Sequence, residues 1–157
     1  MAKGLAVKFS TRVRFGLRIM IQIAAEGEKR PVFSRHLAET QGITEAYVDQ
    51  ILLPLRTQGL LVSRRGRAGG YSLARPAAEI SLCDIIAAME GGFTLVPCLQ
   101  DEEKCVRPER CAAHAVWERL TASFRQAAQA FTLDKLAADY EALVRQYPTL
   151  GEAPKRH

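Results

Sequence analysis

Aromatic residues are scarce in this chain of 157, at 7% with a single tryptophan, so the core must be built from aliphatic side chains. No apolar run approaches the roughly 20 residues that a membrane-spanning helix requires. The N-terminus, Met1 to Lys8, has no long apolar segment before the first charged helix, which argues against a signal peptide. The expectation is therefore a cytoplasmic protein that does not engage a membrane. Histidines number only three, His36, His114 and His157. With no nucleophile–base pair and no glycine-rich phosphate loop leading into a helix, the chain does not read as an enzyme. Hydrophobic residues at 48% and charged residues at 25% exclude disordered and collagen-like classes. The length suits one domain, or one domain with a small appendage.

What is present is unevenly placed. Residues 1–76 carry 13 Lys and Arg against 5 Asp and Glu, and the remainder carries 9 against 12. A basic front half on a neutral-to-acidic rear half suggests a polyanion-binding module joined to something else, although a solvated charged surface would look the same by charge alone. The four cysteines are Cys83, Cys98, Cys105 and Cys111. In a cytosolic setting a metal or redox role is favoured over disulfides. Cys83 lies apart, inside an apolar helical pattern, where a buried free thiol is the common outcome.

Ser10 or Thr11 can cap a helix whose Val13, Leu17, Met20, Ile21 and Ala24 form one stripe. After Pro31, Ser34 is expected to cap a short helix, Gln41-Gly42-Ile43 to turn, and Thr44 to cap a further helix with Tyr47, Val48, Ile51, Leu52 and Leu55 at helical spacing. Pro54 should bend or shorten that helix. Two short helices about a glycine turn fit a helix-turn-helix, and equally an ordinary helical hairpin. Past Gly59, strands are expected at Leu60-Leu61-Val62-Ser63 and Tyr71-Ser72-Leu73-Ala74, around the basic turn Arg64-Arg65-Gly66-Arg67-Ala68-Gly69-Gly70. A hairpin with three arginines at its tip, placed directly after a helix-turn-helix, predicts the wing of a winged-helix domain. The mutual repulsion of those arginines is a cost that an anionic partner offsets. A helix from Ser81 to Gly91 follows, then an aperiodic loop, a long helix from about Pro108 or Ala112 carrying Leu120, Phe124 and Phe131, and a last helix capped by Thr132.

The loop holds the chemistry. Its spacing is Cys98-x6-Cys105-x5-Cys111-x2-His114. Three thiolates and an imidazole can fill a tetrahedral site or the open valences of an iron–sulfur cluster. The tight Cys-x2-4-Cys knuckle of structural zinc sites is absent, which favours a cluster. A redox switch of clustered thiols, and a merely polar surface role for His114, are the plainer alternatives.

Phe9-Ser10-Thr11-Arg12-Val13-Arg14-Phe15-Gly16-Leu17, Tyr47-Val48-Asp49-Gln50-Ile51, Arg65-Gly66-Arg67-Ala68-Gly69-Gly70-Tyr71 and Cys111-Ala112-Ala113-His114-Ala115-Val116-Trp117 resemble, in order, the motifs of the bacterial winged-helix iron–sulfur transcription regulators that include IscR, NsrR and CymR. The likeness runs over about residues 8–145 and is greatest to the IscR-like members. It implies a homodimer with a winged helix in each subunit and a long helix crossing to the partner. IscR-like members bind a 2Fe–2S cluster through three cysteines and a histidine, which here would be Cys98, Cys105, Cys111 and His114. NsrR-like members bind 4Fe–4S with an acidic ligand from the N-terminal helix, where this chain has Arg14, which cannot ligate. CymR-like members lack the cysteines.

The expected fold is thus mainly α with a small β-hairpin wing. It divides into a DNA-binding winged helix-turn-helix at 8–91, a cysteine-rich loop at 92–111, dimerisation helices at 112–146 and a disordered tail at 147–157. The expected function is a regulator, a repressor by resemblance, whose operator binding follows cluster status, redox state or nitric oxide. A zinc- or thiol-containing winged-helix interaction module is the alternative. The helix capped by Thr44 would enter the major groove, with Tyr47 and Gln50 toward base edges and Ser34 toward a phosphate. Arg65 would read the minor groove, with Arg64 and Arg67 on phosphates. The resemblance links the acidic residue at Asp49 with sequence choice.

Overall fold

The computed structural model describes residues 9–27, 30–66, 69–100 and 111–147. Among them run six α-helices and one β-hairpin, in the order α1 (Thr11–Glu26), α2 (Ser34–Gln41), α3 (Glu45–Thr57), β1 (Leu61–Arg64), β2 (Gly70–Leu73), α4 (Leu82–Glu90), α5 (Ala112–Ala130) and α6 (Leu133–Gln146). This is the winged-helix architecture, mainly α with a two-stranded wing.

The Ser10 side chain caps α1 by accepting the Val13 N–H at 3.2 Å. The single stripe expected on this helix is too narrow. Ile19, Gln22 and Ile23 are fully buried, while Leu17 and Ile21 are only half-buried. The cause is that α2, α3, α4, α6 and β2 all pack around α1, so it is covered on more than one face. The one fully buried polar side chain there is satisfied. The Gln22 carbonyl accepts from Thr40 Oγ1 and Gln41 Nε2, each at 2.8 Å, and its amide donates to Glu26 Oε1 at 3.0 Å. Those bonds tie α1 to α2.

Gly42 turns the chain between α2 and α3 with φ of 66°, in the left-handed region that glycine adopts without a Cβ penalty. Phe33, not Ser34, occupies the cap position of α2, and Ser34 is its first helical residue. Thr44 caps α3 as expected, accepting from the Tyr47 N–H. Pro54 does not end α3, which continues to Thr57. The bond it forfeits is to the carbonyl of Gln50, an exposed residue, so water can replace the missing donor.

The hairpin is displaced one residue from the expected strands and pairs Leu61 with Leu73 and Arg64 with Gly70. Its outer edge is extended, one pair from the turn, by a connection absent from the sequence reading. Val32 and Tyr71 exchange backbone hydrogen bonds of 2.9 and 2.8 Å, so the linker between α1 and α2 joins the outer side of β2. Gly70 permits this approach: its φ is 121°, and a Cβ there would lie 2.8 Å from the Val32 carbonyl oxygen.

Ser81 and Asp84 form a reciprocal capping box at the start of α4. The same corner holds the C-terminal helices. The Leu82 N–H donates to the Phe131 carbonyl and the Leu133 N–H to the Ile80 carbonyl, both at 2.8 Å. With α6 along α1 and α5 against α4, residues Ala128, Leu133 and Ala137 enter the core of the winged helix. Between α4 and α5 the chain makes a 3-10 turn at Pro97–Leu99. Residues 101–110 of the expected loop, and 148–157 of the expected tail, lie outside the described residues.

Candidate nucleic-acid interface and thiol loop

Helix α3 buries Val48, Ile51, Leu52 and Leu55 and turns Glu45, Ala46, Asp49, Gln50 and Leu53 outward. Gln50 is thus exposed on the outward side of α3. Tyr47 is only half-buried, and its ring meets Phe15 of α1 edge-on at 5.9 Å between centroids. The body of that ring belongs to the packing, which fixes how α3 leans on α1. Arg56, in the last turn of α3, reaches Ser63 on β1 at 3.5 Å and so joins helix to wing. Arg64 and Arg65 are exposed at the wing. Arg67 lies outside the described residues.

Ser34 does not stand free. Its hydroxyl donates to Glu45 Oε1 at 2.9 Å, so the proton expected for a phosphate is engaged by a carboxylate. Glu45, Leu53 and Arg56 share the outward side of α3 without having been singled out from the sequence, because that side becomes visible only once the buried face is fixed.

The cysteines fall into two settings. Cys83 is half-buried on α4, where burial pushes its thiol pKa up, the Asp84 carboxylate adds to that, and Arg125 opposes it. It stays a protonated thiol. Cys98 sits in the 3-10 turn, and the exposed Cys111 is the cap residue of α5. His114 follows in the first turn of α5 with its Nε2 3.7 Å from Glu118. Its Nδ1 is buried and has no hydrogen-bond partner among the described residues. Cys105 lies outside the described residues, and among those described no three His, Cys, Asp or Glu side chains converge on one point. The donor set still fits a cluster chemically. Cys98 and Cys111 supply thiols at either end of the segment, and an inward imidazole nitrogen without a partner is the group that a metal would satisfy. The loop is also anchored to α5: the Leu95 N–H approaches the buried Thr121 hydroxyl at 3.4 Å, and Arg125 donates to the Phe93 carbonyl at 3.1 Å.

A helix-turn-helix with an arginine-bearing wing braced along its outer strand is the framework of a winged-helix DNA-binding regulator. No helix among the described residues is long and apolar enough to cross a membrane. Residues 9–139 match the Rrf2 family, described as iron-dependent transcriptional regulators, and the chain belongs to that family. It is 32% identical over 133 residues to protein rrf2 of Nitratidesulfovibrio vulgaris, covering 85% of this chain and 89% of that one. It is 35% identical over 132 residues to the HTH-type transcriptional regulator CymR of Bacillus subtilis, covering 84% and 91%. Among solved structures, IscR of T. potens superimposes with a TM-score of 0.72 at 30% identity, covering 88% of this chain and 92% of that one. These relatives are transcriptional regulators and not enzymes, and DNA-binding regulation is the activity the family carries.

Proposed function

We propose that this chain is a homodimeric repressor whose operator affinity is set by an iron–sulfur cluster, of the 2Fe–2S type, held by Cys98, Cys105, Cys111 and His114. The observation that carries the reading is the buried Nδ1 of His114, one turn from Cys111 and without a hydrogen-bond partner among the described residues, in a chain whose family is described as iron-dependent regulators. When bound, such a cluster supplies a centre that oxidants, nitric oxide or iron shortage can alter. The chain's own residues do the rest. Helix α3 enters the major groove by its N-terminal end, and Gln50 offers an amide that pairs bidentately with adenine. Tyr47, steadied by Phe15, presents its hydroxyl edge from the same turn. Arg65 inserts its guanidinium in the minor groove, while Arg64 and Arg67 neutralise phosphates. Dimerisation through α5 places two such units on one duplex.

The test is protein purified without air, with iron and sulfide assayed and an absorption spectrum recorded. Binding to duplex DNA fragments is then measured as salt is raised. Coloured protein containing both elements, with affinity falling steeply with salt, is the expected result. Colourless protein with stoichiometric zinc would overturn the cluster, and salt-independent binding would overturn the DNA contacts.

A further inference from the structure

We infer that Glu45 is a specificity-determining residue that selects cytosine in the operator, and that Ser34 is the positioning residue that aims it. The inference rests on α3 being the major-groove helix. Glu45 is the first residue of α3, directly after the Thr44 cap, and residues at that end of a recognition helix meet base edges. A carboxylate in the first turn suits the helix dipole, yet with the exposed Asp49 of the same helix it repels the phosphates that the basic front half attracts. Against base edges it is satisfied only by a partner that donates.

The major groove offers few such partners. Guanine presents only acceptors at N7 and O6, and thymine an acceptor at O4 beside a methyl group. Adenine donates from N6 but sets the N7 lone pair next to it, which an acceptor-only carboxylate meets unfavourably. Cytosine donates from N4 without that neighbour. A glutamate in this place thus discriminates for cytosine by attraction, and against the other bases by unpaired or opposed lone pairs.

The hydrogen bond across the turn makes the assignment more specific than exposure alone. Ser34 Oγ donates to Glu45 Oε1 at 2.9 Å from the first turn of α2, eleven residues earlier in the chain. Among the described residues Glu45 forms no ion pair. A glutamate serving only the helix dipole needs no tether to a second helix. Tethered, its flexible side chain is ordered before DNA arrives and leaves Oε2 free, so less freedom is lost on binding. The same bond explains why the Ser34 hydroxyl is unsuited to a phosphate.

The experiment is selection from a duplex library with a randomised centre, using the full chain as wild type, Glu45→Gln, Ser34→Ala and Arg65→Ala. Circular dichroism checks that each variant is folded. Wild type should enrich one cytosine–guanine pair in each half-site. Glu45→Gln should lose that preference about 10-fold and move it toward adenine, since an amide both donates and accepts, with other positions unchanged. Ser34→Ala should blunt the preference at that one position by a few-fold. An unchanged motif in Glu45→Gln, or an equal loss of affinity at every base, would overturn the inference and leave the pair a tie between helices. If wild type enriches no motif and Arg65→Ala binds as wild type does, the major-groove reading itself fails and takes this one with it.

Discussion

Cys83 and Cys111 carry the same thiol in opposite circumstances. Cys83 leans on the core from α4, with burial and the Asp84 carboxylate both holding it protonated. Cys111 stands exposed at the head of α5, one helical turn from an imidazole nitrogen with no partner among the described residues. A thiol must lose its proton to ligate iron, so the environment of Cys83 opposes that role, whereas Cys111 is placed within reach of a ligand. Cys83→Ala should therefore leave iron and sulfide content unchanged and cost less than about 1 kcal/mol in urea unfolding. Cys111→Ala and His114→Ala should each reduce iron to background in protein purified without air. Retention of full iron by Cys111→Ala would remove this cysteine from the ligand set. At the same scale, Ser34 and Glu45 mark what residue types alone do not disclose. A serine at a helix start and a glutamate in the first turn of the next helix each have ordinary local explanations, and only the packing of α2 on α3 brings them together.

Elements were legible in the sequence where period and punctuation agreed. The end of α2, the start of α3 and both ends of α4 follow from Gly42, Thr44, Ser81 and Gly91, because caps and left-handed glycines act over one turn. The many-sided burial of α1 was not legible, since a helix surrounded by neighbours loses the single stripe that periodicity detects. The Val32–Tyr71 pairing left no trace either, because a one-residue bridge has no period. Gly70 is where that hidden pairing becomes testable. Gly70→Ala meets both a positive φ and the Val32 backbone, and should destabilise the protein by about 1–3 kcal/mol. It should also weaken DNA binding by loosening the wing, whereas Gly66→Ala, at a comparable φ of 101° but in open space, should cost less stability. Equal unfolding midpoints for the two variants would mean that the close approach to Val32 carries no weight. At the head of α4, burial alone would raise the Asp84 carboxyl. Hydrogen bonds from the Ser81 hydroxyl and N–H, together with Arg75 at 3.4 Å, outweigh it and hold the group below its ordinary 3.8. A depressed carboxyl stabilises the fold above its unfolded value and loses that contribution as pH falls through the folded one. Asp84→Asn should thus cost about 0.5–1 kcal/mol at neutral pH, at the low end because the pair is partly exposed, with the difference from wild type shrinking below about pH 4. Urea titrations at several pH values read this directly.

At the scale of the whole molecule, the largest group of bare apolar side chains among the described residues lies along one helix. Val116, Trp117, Leu120 and Phe124 of α5, with Phe131 just beyond it, are 39–55% exposed. They recur at helical spacing, so they form a face and not scattered points. A face of this kind calls for a covering partner, and in the proposed dimer a twofold copy of the same helix would be the self-complementary solution. Phe124→Lys should weaken self-association by about 2 kcal/mol, roughly 30-fold, and sedimentation at micromolar concentration should show monomers where wild type shows dimers. The same helix decides whether the thiol loop can regulate. Its C-terminal end is fixed to α4 by the paired backbone bonds of Ile80, Leu82, Phe131 and Leu133, and its middle is tied to Phe93 and Leu95. Cys111 and His114 lie at its opposite end. A helix of 19 residues is about 28 Å long, so a small change in how its head is held swings the bare face through a larger arc. Because α4 and α1 share the core with α3, in the proposed dimer such a swing would alter the separation of the two α3 helices. Ligand-controlled couplings of this kind are commonly around 1–3 kcal/mol. Removing iron by chelation should then change operator affinity about 5- to 150-fold at fixed salt, while the slope of affinity against salt stays the same because the phosphate contacts are untouched. Phe124→Lys should abolish that difference as well as the dimer. Equal affinities of metal-loaded and metal-free wild type for every operator tried would make the bound metal structural and deny the molecule a sensing role.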